Sequence, residues 1–138
     1  MAGFLLDTNV ISETRRSSPD SGVMTFLAAS DAAELLLSVM TLGELRKGVA
    51  MKRRTDPDAA DRIGAWVDGI ETDFAGHVLP ITAAIACRWG ELSSGRSLPV
   101  IDTLIAATAI EHGLTLATRN AIDVAATGAA IFDPWQVR

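Results

Sequence analysis

The sequence predicts an α/β sandwich with a mainly parallel central sheet, as a single domain over residues 1–138. Three observations lead there. Short apolar runs alternate with longer amphipathic segments, the pattern of repeated strand–helix units. The hairpin patterning of an all-β chain is absent. A chain of 138 residues, 49% of them hydrophobic, suits one core, and it shows no internal repeat or linker.

The first strand covers residues 3–6. Its Phe4-Leu5-Leu6 is fully apolar and free of breakers, as in a strand covered on both faces. Residues 10–15 read as a short helix and 17–22 as a loop; Met24, Phe26, Leu27 and Ala28 suggest a second helix. Residues 34–39, with Leu35-Leu36-Leu37, form the second strand. From Thr41 the pattern turns helical, with Leu42, Leu45, Val49 and Met51 as an apolar stripe. Asp56-Pro57 opens the next helix, aspartate as cap and proline in the first turn. Ile63, Trp66, Val67, Ile70 and Phe74 continue it at core spacing, which assigns Trp66 to packing. Residues 78–81 form the third strand. Thr82 caps a helix with Ile85, Ala86, Trp89 and Leu92 on one face. A loop over 93–99 precedes an apolar helix, Val100–His112, closed by Gly113. Residues 114–117 and 130–132 are the last strands, with a helical turn or two over 120–125 between them.

Bulk properties narrow the function. No apolar stretch is long and clean enough to span a bilayer, and the opening lacks a signal-peptide core; the expected location is the cytoplasm. Cys87, the one cysteine, excludes an internal disulfide and a cysteine metal cluster, and reads as a small buried hydrophobe. A net charge of −5 argues against general charge-driven binding of nucleic acid. It leaves a nuclease open, because a carboxylate cluster that holds cations is itself acidic.

Four of the seventeen acids stand apart from the solvated faces. Asp7 follows the first strand, at the edge where open parallel sheets bind ligands. With Thr8 and Asn9 it also suits a turn and a helix cap. Thr41-x-x-Glu44 reads as a capping box, which gives Glu44 a structural use; it also puts a carboxylate at the same edge as Asp7. Asp102 is the only charged side chain between Leu98 and Ile110. A helix-dipole interaction there contributes about 0.3–1 kcal/mol. That is less than the several kcal/mol lost by an unpaired buried carboxylate, so a functional role is favoured. Asp123 follows the fourth strand, with Thr118 and Asn120 supplying oxygens beside it; a local turn is its plain alternative. Brought together at one end of the sheet, these acids offer oxygen ligands only, which points to Mg²⁺ or Mn²⁺. His77 and His112 lack the spacing of zinc ligands. Carboxylates holding one or two hard cations form a recurrent phosphodiester-cleaving site.

Four segments in order, LLDTNVIS, TLGELRKG, LPVIDTLIAATA and LATRNAIDVAATG, resemble those of PIN-domain ribonucleases. The resemblance is strongest to the VapC-type toxins of bacterial toxin–antitoxin modules and runs from Leu5 to Trp135. It implies a three-layer α/β/α fold and Mg²⁺- or Mn²⁺-dependent endoribonuclease activity. By position it makes Asp7, Glu44 and Asp102 the main metal-site acids and Asp123 the fourth, often acting through water. Thr8 takes the small polar position after the first acid, and Asn120 falls near the fourth. Val124 departs from the family, which often carries Phe there. The resemblance further implies a homodimer, inhibition by a small cognate antitoxin, and contact with promoter DNA only through that antitoxin. An antitoxin-bound regulatory component with little nuclease activity is the alternative; the intact acids argue against it.

These readings converge on in-line hydrolysis of single-stranded or loop RNA, with no covalent enzyme intermediate, since no Ser/His or Cys/His pair is offered. Arg119, beside Asp123, is the expected phosphate contact. Arg15, Arg16, Lys47, Lys52, Arg53 and Arg54 are further cations, each also readable as part of a solvated face. The apolar segment 24–29 and the Leu42/Leu45/Val49 stripe either pack the core or offer a groove to an antitoxin helix. A phospho-receiver or phosphatase is disfavoured: Asp7-Thr8-Asn9 lacks a second acid, and no lysine follows Lys52. No stacking platform for bases is legible, because the chain has no tyrosine and its Phe and Trp residues fall mostly at core spacing.

Overall fold

The computed structural model describes residues 3–95 and 97–136. Its strands are β1 (Phe4–Leu6), β2 (Leu35–Ser38), β3 (Val78–Leu79), β4 (Thr115–Ala117) and β5 (Ile131–Phe132). All pairings are parallel, in the order β3-β2-β1-β4-β5. Parallel neighbours need crossovers of a dozen or more residues, and helices supply them. They are α1 (Thr8–Glu13) and α2 (Ser21–Ala29), then α3 (Val39–Arg53) and α4 (Pro57–Asp73), then α5 (Ala83–Ser93) and α6 (Val100–His112), and finally α7 (Ala121–Ala125).

The three layers follow from the period-two alternation of strand side chains. Leu5 pairs with Leu116 in register, and both face Ile105, Ala106 and Ala109 of α6 and Val124 of α7. Leu6 and Ala117, one residue on, face the opposite cluster with Val10, Val23, Leu45, Val49 and Val67 of α1 to α4. The sheet is thus covered on both sides, as the apolar strands require. Phe4, Phe26 and Phe132 close that second cluster, with ring centroids 4.9 to 5.9 Å apart. No helix among the described residues is long and apolar enough to cross a membrane.

Caps account for most departures from the predicted elements. Asp7 caps α1, so it starts at Thr8 rather than Val10. Asp20 accepts from the Val23 N–H at 3.1 Å and starts α2 inside the expected loop. Ser38 accepts from the Met40 N–H at 3.0 Å, so α3 begins at Val39. Thr41 therefore lies within the helix, fully buried, and the expected Thr41–Glu44 capping box does not form. Asp56 and Thr82 cap as expected, and Gly113 ends α6 at φ 64°, a left-handed conformation natural to glycine. Cys87 is exposed, contrary to expectation. Helix α5 lies on the outside of its layer and buries fully only Ile85; Ala86 is exposed too. The α3 stripe likewise stops at Val49, since Met51 is exposed. Met1 and Ala2 of the opening stretch, and Arg96 of the 93–99 loop, lie outside the described residues.

Gly3 is required by packing. A Cβ there would overlap the Glu34 carbonyl, which is backbone and cannot move aside alone. Gly3→Ala is expected to destabilise the protein by about 1–3 kcal/mol. The reading is a lower urea midpoint at unchanged slope.

The strand order also places the site. From β1 the chain moves to β2 and β3 on one side, then returns to β4 on the other. The carboxyl ends of β1 and β4 flank the point where the order reverses, which is where such sheets form a ligand crevice.

Candidate active site

Asp7 stands at that point. It follows β1 directly and is 4% exposed. Its N–H donates to the Ala117 carbonyl at 2.9 Å, which continues the sheet for one more residue. Its Oδ1 accepts from the Thr8 N–H at 2.7 Å. Its Oδ2 accepts from the Thr118 hydroxyl at 2.7 Å and from the Asn9 amide at 3.4 Å. Burial pushes the Asp7 pKa up, the hydrogen bonds from Thr118 and Thr8 pull it down, and the charge of Glu44 raises it; the net shift is upward. The cap and the sheet-edge carboxylate, alternatives in the sequence, are one residue doing both.

Glu44 reaches across to α1 instead of back to its own helix start. The Thr8 hydroxyl donates to Glu44 Oε1 at 2.5 Å and lies 3.1 Å from the Thr41 hydroxyl. A hydroxyl has one proton to give, so Thr41 donates to Thr8 when Thr8 donates to the carboxylate. Thr8 thereby joins the first two acids, with one neighbour Asp7 and one partner Glu44.

Asp102 arrives from the other layer. Helix α6 turns into β4 within two residues of Gly113, so its C-terminus lies at the amino edge of the sheet. Its first turn is one helix length away, about 20 Å at 1.5 Å per residue, at the carboxyl edge. Asp102 sits in that turn, half-buried. Burial raises its pKa first, and the charges of Asp7, Glu44 and Asp123 raise it further, with nothing opposing them. The other three sequence-predicted acids thus all act on Asp102, and Glu44 acts on Asp7 as well.

Asp123 is the outlying member. It is exposed in the first turn of α7 and borders a cavity of about 440 Å³ with Arg119, Asn120 and Asp133. Arg119 lays its guanidinium 5.2 Å from the Trp135 ring centroid, and its N–H donates to Asn9 Oδ1 at 3.4 Å. Asn120 contributes its N–H to the Thr118 hydroxyl at 3.0 Å, while its side chain does not cap α7. Asn9 and Thr41 were read in the sequence only as turn and capping-box residues, not as members of the site. Asn9 ties Asp7 to Thr118 and the Arg119 backbone, and its place two residues after the first acid was the available signal.

Among the described residues, no three His, Cys, Asp or Glu side chains stand close enough to cage a metal ion. The donor set nonetheless suits Mg²⁺ or Mn²⁺ better than a caged ion. Mg²⁺ keeps several waters and takes one or two carboxylates along with substrate phosphates. The unopposed repulsion at Asp102 is what such a cation would relieve.

An all-parallel sheet in this order, covered on both faces, with acids gathered where the order reverses, defines a PIN-like α/β/α domain. A PIN-domain family model matches residues 4–126, and the chain belongs to that family. It is 35% identical over 142 residues to Toxin FitB of Neisseria gonorrhoeae, spanning 96% of this chain and 98% of that one. It is 34% identical over 146 residues to VapC ribonuclease Y4jK of Sinorhizobium fredii, again spanning 96% and 98%. The crystal structure of FitAcB from Neisseria gonorrhoeae superposes with a TM-score of 0.89 at 34% identity, covering 97% of this chain and 99% of that one.

Proposed function

We propose that this chain is the endoribonuclease toxin of a toxin–antitoxin pair, hydrolysing RNA with Mg²⁺ or Mn²⁺ bound among Asp7, Glu44, Asp102 and Asp123, in part through water. The observation that carries this reading is the placement of Asp7, Glu44 and Asp102 at the carboxyl edge of the sheet, with the Thr8 hydroxyl joining Glu44 to the residue after Asp7. The similarity to a toxin and to a VapC ribonuclease supports it. When bound, the ion supplies activation of water and neutralisation of charge on the phosphate. The chain supplies position. Three hydrogen bonds fix Asp7, and the Thr8 hydroxyl holds Glu44 in one orientation. Asp123, being exposed, acts through water. Among the described residues Arg119 has only a ring as side-chain partner, and it turns from Trp135 to a phosphate at little cost. Among the described residues no histidine or cysteine is hydrogen-bonded to the acids, and the Thr8 and Thr118 hydroxyls are spent holding Glu44 and Asp7, so the nucleophile in this reading is water and no covalent intermediate forms.

The expected partners are RNA, a second copy of the chain and a cognate antitoxin, with promoter DNA reached only through the antitoxin. A basic antitoxin side chain among the acids would inhibit by displacing the cation. The working location is the cytoplasm.

Cleavage of an RNA pool in Mn²⁺ is expected to stop in EDTA and return when Mn²⁺ is restored; full activity in EDTA would overturn the metal assignment. Thr118→Val removes the hydroxyl that holds Asp7 Oδ2 and is expected to weaken Mn²⁺ binding or cleavage about 10- to 100-fold. Unchanged values would confine Thr118 to folding.

A further inference from the structure

A separate cavity of about 360 Å³ borders the acids at Thr8 and Glu44. It lies at the smaller end of the roughly 300–1,000 Å³ typical of small-ligand pockets. Helix α4 places Trp66 in its wall, and α3 places Gly48 and Lys52 there. Arg15 follows α1 on the helical phase of Thr8, at i+7.

The chemistry of this lining is specific. Trp66 was assigned to packing from its spacing, yet it is only half-buried and presents part of its ring to the cavity. Arg16, Arg46, Arg53 and Arg88 pair with carboxylates. Among the described residues Arg15 and Lys52 have no carboxylate partner, and the Arg15 guanidinium lies 5.9 Å from the Trp66 ring centroid. That contact is near the outer limit of a cation–π interaction and easily exchanged. A Cβ at Gly48 meets nothing within 4 Å, so the cavity is open beside it.

We propose that this cavity is a subsite for one nucleotide flanking the cleaved phosphodiester, its base stacked on Trp66 and its phosphate held by Arg15 and Lys52. The proposal rests on the ribonuclease reading above. An aromatic face with adjacent cations is the usual means of holding single-stranded RNA. A basic segment of a protein partner, which the acids would attract, is repelled here by Arg15 and Lys52.

The test uses a short single-stranded RNA made non-cleavable by phosphonate linkages, in which carbon replaces the bridging leaving oxygen and the charge is kept. In a Trp89→Phe/Trp135→Phe variant, where Trp66 is the only fluorophore, RNA is expected to quench the emission. Trp66→Leu is expected to weaken RNA binding roughly 5- to 150-fold without changing its salt dependence. Trp66→Phe, which keeps a ring and guards against a folding defect, should recover part of the loss. Arg15→Ala should reduce the slope of log affinity against log salt by about 0.7. RNA binding by wild type with no quenching, and unchanged by Trp66→Leu, would overturn the subsite and leave the ribonuclease reading standing. No RNA binding by wild type, with or without Mn²⁺, would remove both.

Discussion

Asp7→Asn is expected to lower RNA cleavage by at least about 10²–10³-fold while the protein stays folded. Cation-based charge stabilisation of a phosphoryl transition state is worth several kcal/mol, and each 1.36 kcal/mol is about a factor of ten in rate. The fold should survive because asparagine keeps the shape and most of the contacts. Its Oδ1 still accepts the Thr8 N–H, so α1 keeps its cap. Its amide can donate to the Thr118 hydroxyl, which turns from donor to acceptor. Burial disfavours the charge at Asp7, so a neutral residue there relieves a strain of the metal-free fold. The checks are cleavage in Mn²⁺ and a thermal melt. Near-normal activity would reduce Asp7 to a helix cap. Asp7→Ala would lose the cap as well, at a further cost of about 1 kcal/mol.

The second large effect is on stability, and it runs opposite to the effect on activity. Burial, and after it the like charges of Asp7, Glu44 and Asp123, hold the folded-state pKa of Asp102 above the ordinary value of 3.8. The native state then holds this proton more tightly than the unfolded chain. By linkage, stability falls as pH rises from 3.8 through the folded-state pKa of Asp102. Asp102→Asn removes this penalty. Without metal at pH 7 the variant is expected to melt above wild type. The gain should fade toward the acid end, where wild type takes up the proton. Mn²⁺ should reverse the order, since it raises the melting point of the form that binds it. Equal melting at pH 7 in EDTA would mean that the carboxylates do not crowd one another as described. Such a trade of stability for function is common at active sites.

Particular residues show what was legible in advance. Asp102 was readable because a lone charge in an apolar helix needs a partner that local structure does not offer. Gly113 and Asp56-Pro57 were readable because their conformations are set within a few residues. Glu44 was placed correctly at the sheet edge but given the wrong partner. Its hydroxyl donor, Thr8, lies 36 residues away, and a local motif reading sees only Thr41. Cys87 was misplaced and Trp66 half-read for a related reason. Periodicity tells which face of a helix turns inward, but not how deeply the helix is covered. Helix α5 is covered little, and α4 meets a cavity where its Trp66 comes nearest α1 and α3. The three layers came from the resemblance; the alternation of Leu5 and Leu6 between the two clusters is their physical cause.

The central claim is that carboxylates from separate elements form one divalent-cation site. Calorimetric titration of Mn²⁺ into wild type and Asp102→Asn, each with a non-cleavable RNA present to supply phosphate oxygens, tests it most directly. The expected result is saturable binding by wild type and binding at least about tenfold weaker in the variant. Equal binding by the two folded proteins, or none by either, would contradict it.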